Sequence, residues 1–137
     1  MTVLVDTSVW SLALRRRQPP DDPHVRELRR VLLTERVATT GIIVQELLYG
    51  VVSSNAREQI HRQFASLDYI TPSYDDHVAA ARIHYRLRSA GVQVSSADAL
   101  IAHLAITRDM ILLTTDQDFY HAAPHVPLQV WAPGGGS

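Results

Sequence analysis

The sequence predicts an α/β fold, a mostly parallel sheet with helices on both faces. Three observations predict it. Short apolar runs of strand type alternate with segments of helical periodicity along the chain. No Asn-Gly or Asp-Gly dipeptide is present to close a hairpin between consecutive strands, which favours crossover connections and parallel pairing. The 137 residues suffice for one buried core, whereas no apolar run approaches the ~20 residues that span a bilayer.

Taken in order, Thr2-Val3-Leu4-Val5 reads as a first strand, ended by Asp6. Val9, Trp10, Ala13 and Leu14 have helical spacing, so Asp6-Thr7-Ser8 is the turn into a helix. Arg15 to Asp21 is polar, holds Pro19-Pro20, and reads as a loop. Asp22-Pro23 opens a second helix with an N-cap acid and a proline at the first helical position; Val25, Leu28, Val31 and Leu32 form its stripe. Arg36 to Thr40 predicts a strand, Gly41 a break, and Ile42 to Val51 a helix. Asn55 and Glu58 have capping-box spacing ahead of Ile60, Phe64 and Leu67.

Tyr69-Ile70 is a short strand. Ser73 and Asp76 predict a capping box opening a long helix that stops at Gly91. Ser95 and Asp98 repeat that spacing before a helix reaching about Thr107. Met110 to Thr115 is the most apolar strand candidate, Asp118 to His121 a short turn or helix, and Leu128 to Trp131 a last strand. Residues 1–132 are thus expected to form one domain, with a flexible tail at 133–137.

Composition removes several chemistries. There is no cysteine, so disulfides, thiolate metal sites and Cys nucleophiles are excluded. All 13 basic residues are arginine, which excludes a P-loop lysine and a Schiff-base lysine. Met1 to Asp6 has neither a basic region nor a long apolar one, so no signal peptide is expected and the cytoplasm is the expected location.

In parallel α/β folds ligands bind beyond the carboxyl ends of the strands. Asp6 ends the first strand, and Asp116 and Asp118 end the most apolar one. Glu46 has Ile42, Ile43 and Tyr49 as helical neighbours, which predicts a carboxylate turned towards apolar surroundings, where an unpaired charge is expensive. Asp98 stands in the first turn of a helix, beside Ala97 and ahead of Ile101 and Ala102. Taken alone, Asp6 reads also as a helix cap, Asp98 as the capping-box partner of Ser95, Asp116 and Asp118 as turn acids, and Glu46 as a partner for an arginine at the rim. Converging carboxylates repel one another, and a hard divalent cation removes that conflict. Mg²⁺, or Mn²⁺ in its place, supports hydrolysis of a phosphodiester by an activated water.

These segments carry a family resemblance. Val3-Leu4-Val5-Asp6-Thr7-Ser8-Val9-Trp10 resembles the first acidic motif of PIN-domain ribonucleases, and Val44-Gln45-Glu46-Leu47-Leu48-Tyr49-Gly50 the second. Ala97-Asp98-Ala99-Leu100-Ile101-Ala102 is similar to the third, and Leu113-Thr114-Thr115-Asp116-Gln117-Asp118-Phe119 to the fourth. Length and wording are most similar to the VapC toxins of bacterial toxin–antitoxin pairs. The resemblance implies a three-layer α/β/α sandwich and Mg²⁺-dependent endonucleolytic cleavage of RNA. It further implies Asp6, Glu46, Asp98 and Asp116 as metal-holding, catalytic acids, with Asp118 as a further acid. Ser8 and Thr114 match hydroxyl positions that orient a carboxylate or water. The expected partners are RNA, a VapB-like antitoxin and a second copy in a homodimer. Helices around Asp22 to Leu33 and Asn55 to Leu67 are the expected antitoxin surface.

Competing readings fare worse on the residues. A phospho-receiver needs a lysine, and an aspartyl-phosphate phosphatase wants an Asp two residues after the first, where Ser8 stands. A non-catalytic acidic pocket for an arginine-rich segment remains an alternative. Arg15, Arg16 and Arg17 are the expected RNA-phosphate contacts, against a solvated loop. Arg82, Arg86 and Arg88 read as a solvated helix face. Of seven histidines, His121 and His125 are separated by Pro124, which argues against a zinc pair on one helix. His77 and His84 read as helix-surface positions, His103 as a helix-surface or rim residue, and Trp10 as core. The net charge of -1 gives no global attraction for nucleic acid. Setting the four metal-holding acids aside leaves ten acids against 13 arginines, a formal +3. Arginine, the better bidentate phosphate ligand, is then the permanent cation available to RNA.

Overall fold

The computed structural model describes residues 1–14 and 21–134. Its strands are β1 (Thr2–Val5), β2 (Arg36–Thr40), β3 (Asp68–Ile70), β4 (Ile111–Leu113) and β5 (Gln129–Val130). Its helices are α1 (Thr7–Leu14), α2 (Pro23–Thr34), α3 (Gly41–Tyr49), α4 (Ser54–Phe64), α5 (Tyr74–Ser89), α6 (Ser96–Thr107) and α7 (Gln117–Ala122). Sheet order is β3-β2-β1-β4-β5, with parallel pairing in each of the ladders β1–β2, β2–β3 and β4–β5. The α/β class and parallel sheet agree with the predicted alternation. The chain divides into two compact units, Met1–Thr71 with Leu113–Thr115, and Pro72–Leu112 with Asp116–Ser137.

In the first unit, Val3 pairs with Val37 and Ala38 with Asp68, which fixes the register of three parallel strands. The Asp6 amide donates to the Leu113 carbonyl at 2.9 Å. Burial along β1 and β2 is nearly continuous, as parallel strands covered on both faces require, whereas β3 is more open and Tyr69 is exposed. The core holds Leu4, Val5, Trp10, Leu28, Ile43, Leu47 and Ile60. Trp10 is fully buried, with its ring centroid 4.7 Å from that of Phe64. The core reading of Trp10 therefore holds, although its indole nitrogen has no partner among the described residues.

Local signals explain most helix starts. The Asp22 side chain accepts from the His24 amide and Pro23 opens α2. Two starts differ from expectation. Ser53, not Asn55, caps α4, accepting from the Ala56 amide. Gly41 is not a break but the first residue of α3, which follows β2 without a gap. A Cβ there would lie 2.8 Å from the Tyr69 hydroxyl, so a larger residue would require that exposed side chain to move aside.

In the second unit α5 packs against α6. Both bonds of the predicted Ser73–Asp76 capping box form. Gly91 stops the helix at φ 83°, and the Val92 amide donates back to the Leu87 carbonyl at 2.8 Å. Ile111 pairs with Gln129 and Leu112 with Val130. The strand is shorter than Met110 to Thr115, since Thr114 and Thr115 lie beyond its end. Arg15, Arg16 and Arg17 lie outside the described residues, as does the tail from 135 to 137.

Candidate metal centre

Asp6 follows the last residue of β1 and is 6% exposed. Its carbonyl accepts from the Val9 and Trp10 amides, so α1 grows directly from the strand end. Two hydroxyls converge on one of its oxygens: Ser8 donates to Oδ2 at 2.9 Å and Thr114 at 2.8 Å. Ser8 Oγ accepts in turn from the Thr115 amide at 3.1 Å. Thr114 is fully buried. Charge-assisted bonds of this kind are about twice as strong as neutral ones, and two of them hold the carboxylate in one orientation. Ser8 and Thr114, singled out from the sequence as hydroxyl positions, thus both bond to the Asp6 carboxylate.

Glu46 is on α3 and differs from expectation. Ile43 and Leu47 carry the buried face of that helix, whereas Glu46 is exposed. Leu47 is adjacent in sequence and therefore about 100° away around the helix. The Thr7 hydroxyl donates to Glu46 Oε1 at 3.1 Å. Thr7 was not among the predicted site residues; its place between Asp6 and Ser8 was the available signal. Asp6, Ser8, Thr114, Thr7 and Glu46 all belong to the first unit.

The second unit assembles the other acids. Asp98 stands at N3 of α6, where its amide is capped by Ser95. Asp116 is the N-cap of α7: its Oδ1 accepts from the Asp118 amide at 2.9 Å. One carboxylate oxygen from each of Asp98, Asp116 and Asp118 lies within 4.8 Å of the other two, and all three residues are half-buried. An octahedral Mg²⁺ with bonds of about 2.1 Å places its oxygens roughly 3 to 4.2 Å apart. The donor set, all carboxylate oxygen, suits a hard cation and not a thiophilic one. Asp118 therefore has a stronger structural case than its place in the sequence suggested.

Besides the acidic cluster, the second unit holds a further polar group, in which the part played by His103 escaped the sequence. His103 is 5% exposed and not on a helix surface. Its Nε2 lies 2.9 Å from Asp76 Oδ1, and Arg108 reaches Asp76 Oδ2 at 3.4 Å. The Ser73 amide, then His103 and Arg108, hold the Asp76 carboxyl well below the usual carboxylate range, against the opposing push of burial. A carboxyl with a depressed folded pKa contributes stability that is present above the unfolded value of about 3.9 and lost as pH falls towards the folded value. Melting temperature is therefore expected to be flat in this respect above about pH 5 and to fall below about pH 4. Asp76→Asn is expected to lower it at pH 7 and to flatten the acid limb, as scanning calorimetry from pH 2.5 to 7 would show. His84 is likewise not free on the surface, since a ring nitrogen lies 2.9 Å from the Val94 carbonyl. His77 is exposed, as predicted.

A strand-end acid locked by two hydroxyls and a cluster of three carboxylates define, with the parallel sheet, the class to which the chain is assigned. The chain belongs to the PIN-domain family, whose sequence profile matches residues 3–124. Within that class its relatives include VapC ribonucleases. It is 32% identical to Ribonuclease VapC5 of Mycobacterium tuberculosis over 100 residues, 69% of this chain and 74% of that protein. It is 24% identical to Ribonuclease VapC2 of Rickettsia felis over 135 residues, 96% of this chain and 98% of that one. The crystal structure of VapBC2 from Rickettsia felis, bound to a DNA fragment from its promoter, superposes with a TM-score of 0.71 at 24% identity. That match covers 96% of this chain and 100% of the other. No helix among the described residues is long and apolar enough to cross a membrane.

Proposed function

We propose that this chain is a Mg²⁺-dependent endoribonuclease, the toxin of a VapBC-type toxin–antitoxin pair, with Asp6, Glu46, Asp98 and Asp116 as its metal-holding acids and Asp118 beside them. The observation that carries the reading is the Asp98–Asp116–Asp118 cluster, in a chain related to VapC ribonucleases. When bound, a divalent cation lowers the pKa of water and offsets charge developing on the phosphate.

The chain's own groups prepare for that chemistry. Ser8 and Thr114 fix the Asp6 carboxylate before substrate arrives, so no reorganisation is needed in the reaction. Thr7 orients Glu46 from solvent. Asp116 and Asp118 share one helix start, with the Asp118 amide tied to Asp116, which holds two carboxylates close despite their repulsion.

The partners follow from the same reading: an RNA substrate, a VapB-like antitoxin and a second copy of this chain, in the cytoplasm. The helices α2, whose Leu33 is 87% exposed, and α4 are the surface expected to take the antitoxin. Tyr74, Val78 and Tyr85, 82%, 36% and 64% exposed along one stripe of α5, support pairing with a second copy.

Incubation of purified protein with total RNA tests the activity. Fragments are expected with Mg²⁺, none with EDTA, and none from Asp98→Asn at equal stability. Fragments that persist in EDTA would contradict the reading.

A further inference from the structure

A cleft of ≈ 570 Å³ opens within the second unit, and Gln93, Asp118, Tyr120, His121, Pro124 and His125 are among the residues that line it. That volume is in the range of small-ligand pockets, roughly 300–1,000 Å³. Its walls are fixed by the fold. On one side the turn after α5 is held by Gly91 at φ 83°, by the Val92 amide on the Leu87 carbonyl and by the His84 ring on the Val94 carbonyl. On the other, the Tyr120 hydroxyl donates to the Trp131 carbonyl at 2.6 Å and the His125 amide to that of Ala122 at 2.9 Å.

The lining is chemically selective. Among the described residues that form it there is no arginine, so no permanent cation waits for a phosphate. It offers instead the Gln93 amide and the imidazoles of His121 and His125, each able to donate and accept, and the Tyr120 ring. A neutral heterocycle with donors and acceptors along its edge matches that set, and RNA is read by stacking and edge hydrogen bonds to unstacked bases. Asp118 belongs both to this cleft and to the carboxylate cluster. A nucleotide whose phosphate lies at the cluster therefore has its base within reach of the cleft.

We propose that this cleft takes one nucleobase of the RNA substrate, next to the phosphate being cleaved, and that Gln93 and His125 read its edge. The proposal rests on the ribonuclease reading above. Two measurements separate the two. First, the four nucleoside 5′-monophosphates are added separately to isotope-labelled protein with Mg²⁺, and the Gln93 side-chain amide and the His125 ring are followed by NMR. One base is expected to shift both signals more than the others. Second, cut sites are mapped on total RNA; Gln93→Ala and His125→Ala, both surface changes, are expected to lower the base preference beside the cut by about tenfold. No shift with any of the four nucleotides overturns the proposal. So does an unchanged preference in both variants while the wild type cuts. Shifts without any cutting by the wild type would keep the nucleobase site and contradict the ribonuclease reading.

Discussion

Asp116→Asn is expected to leave the fold intact and to lower Mg²⁺-dependent RNA cleavage by at least about a hundredfold. The two halves of that expectation come from separate properties of one side chain. As the N-cap of α7, Asp116 accepts from the Asp118 amide at 2.9 Å. Asparagine caps helices as well as aspartate does, and its amide oxygen keeps that bond. What it removes is one of three negative charges gathered within 4.8 Å. Changes to groups that merely orient metal ligands cost 10- to 100-fold in affinity or activity, so loss of a ligand charge costs at least as much. Thermal melting and cleavage rates, measured side by side, check both. A variant that melts with the wild type and cuts as fast would remove Asp116 from the metal centre.

Thr114→Val acts on the other group of residues and on stability as well. Valine matches the shape of threonine but lacks the hydroxyl. Thr114 is fully buried and donates to Asp6 Oδ2 at 2.8 Å, so the change leaves a buried carboxylate short of a donor. The expected cost is about 1–3 kcal/mol of stability, read by urea unfolding. Because Asp6 loses one of the two hydroxyls that orient it, cleavage is expected to fall by about 10- to 100-fold at saturating Mg²⁺. Thr114→Ser keeps the hydroxyl and is expected to recover most of the activity. Equal losses in Val and Ser would trace the effect to the methyl group and not to the bond with Asp6.

Much of this architecture is legible in the sequence because its signals are local. An apolar run ended by an acid fixed the place of Asp6, and the cap residues Asp22, Ser73 and Ser95 mark three helix starts where the structure has them. Where local signals were ambiguous, the reading slipped. Ser53, Ser54 and Asn55 are all cap-type residues, and the backbone turns into α4 at the first of them. Gly41 looks like punctuation until the Tyr69 hydroxyl is found beside it. Glu46 was misjudged because helical spacing gives a stripe but not which side of it meets the core; Ile43 and Leu47 take that side. His103 lies in a stretch, Ile101 to Ala105, that is buried at every position. A helix covered on all sides has no polar face to reveal periodicity, and the partner that makes the histidine tolerable, Asp76, is 27 residues away in sequence.

The site itself was legible as a set of residue types and less so as geometry. Spacing alone gave Asp118 no advantage over an ordinary turn acid, whereas its carboxylate stands with those of Asp98 and Asp116. Thr7 drew no attention, since a hydroxyl becomes informative only once its acceptor is known.

The central claim is that the Asp98–Asp116–Asp118 cluster holds a divalent cation. Paramagnetic broadening by Mn²⁺ tests it most directly. Sub-stoichiometric Mn²⁺, added to isotope-labelled protein, is expected to broaden the amides of Ala97, Asp98 and Asp118 first, with excess Mg²⁺ restoring all of them. Amides of Ala97, Asp98 and Asp118 that stay sharp while others broaden would contradict it.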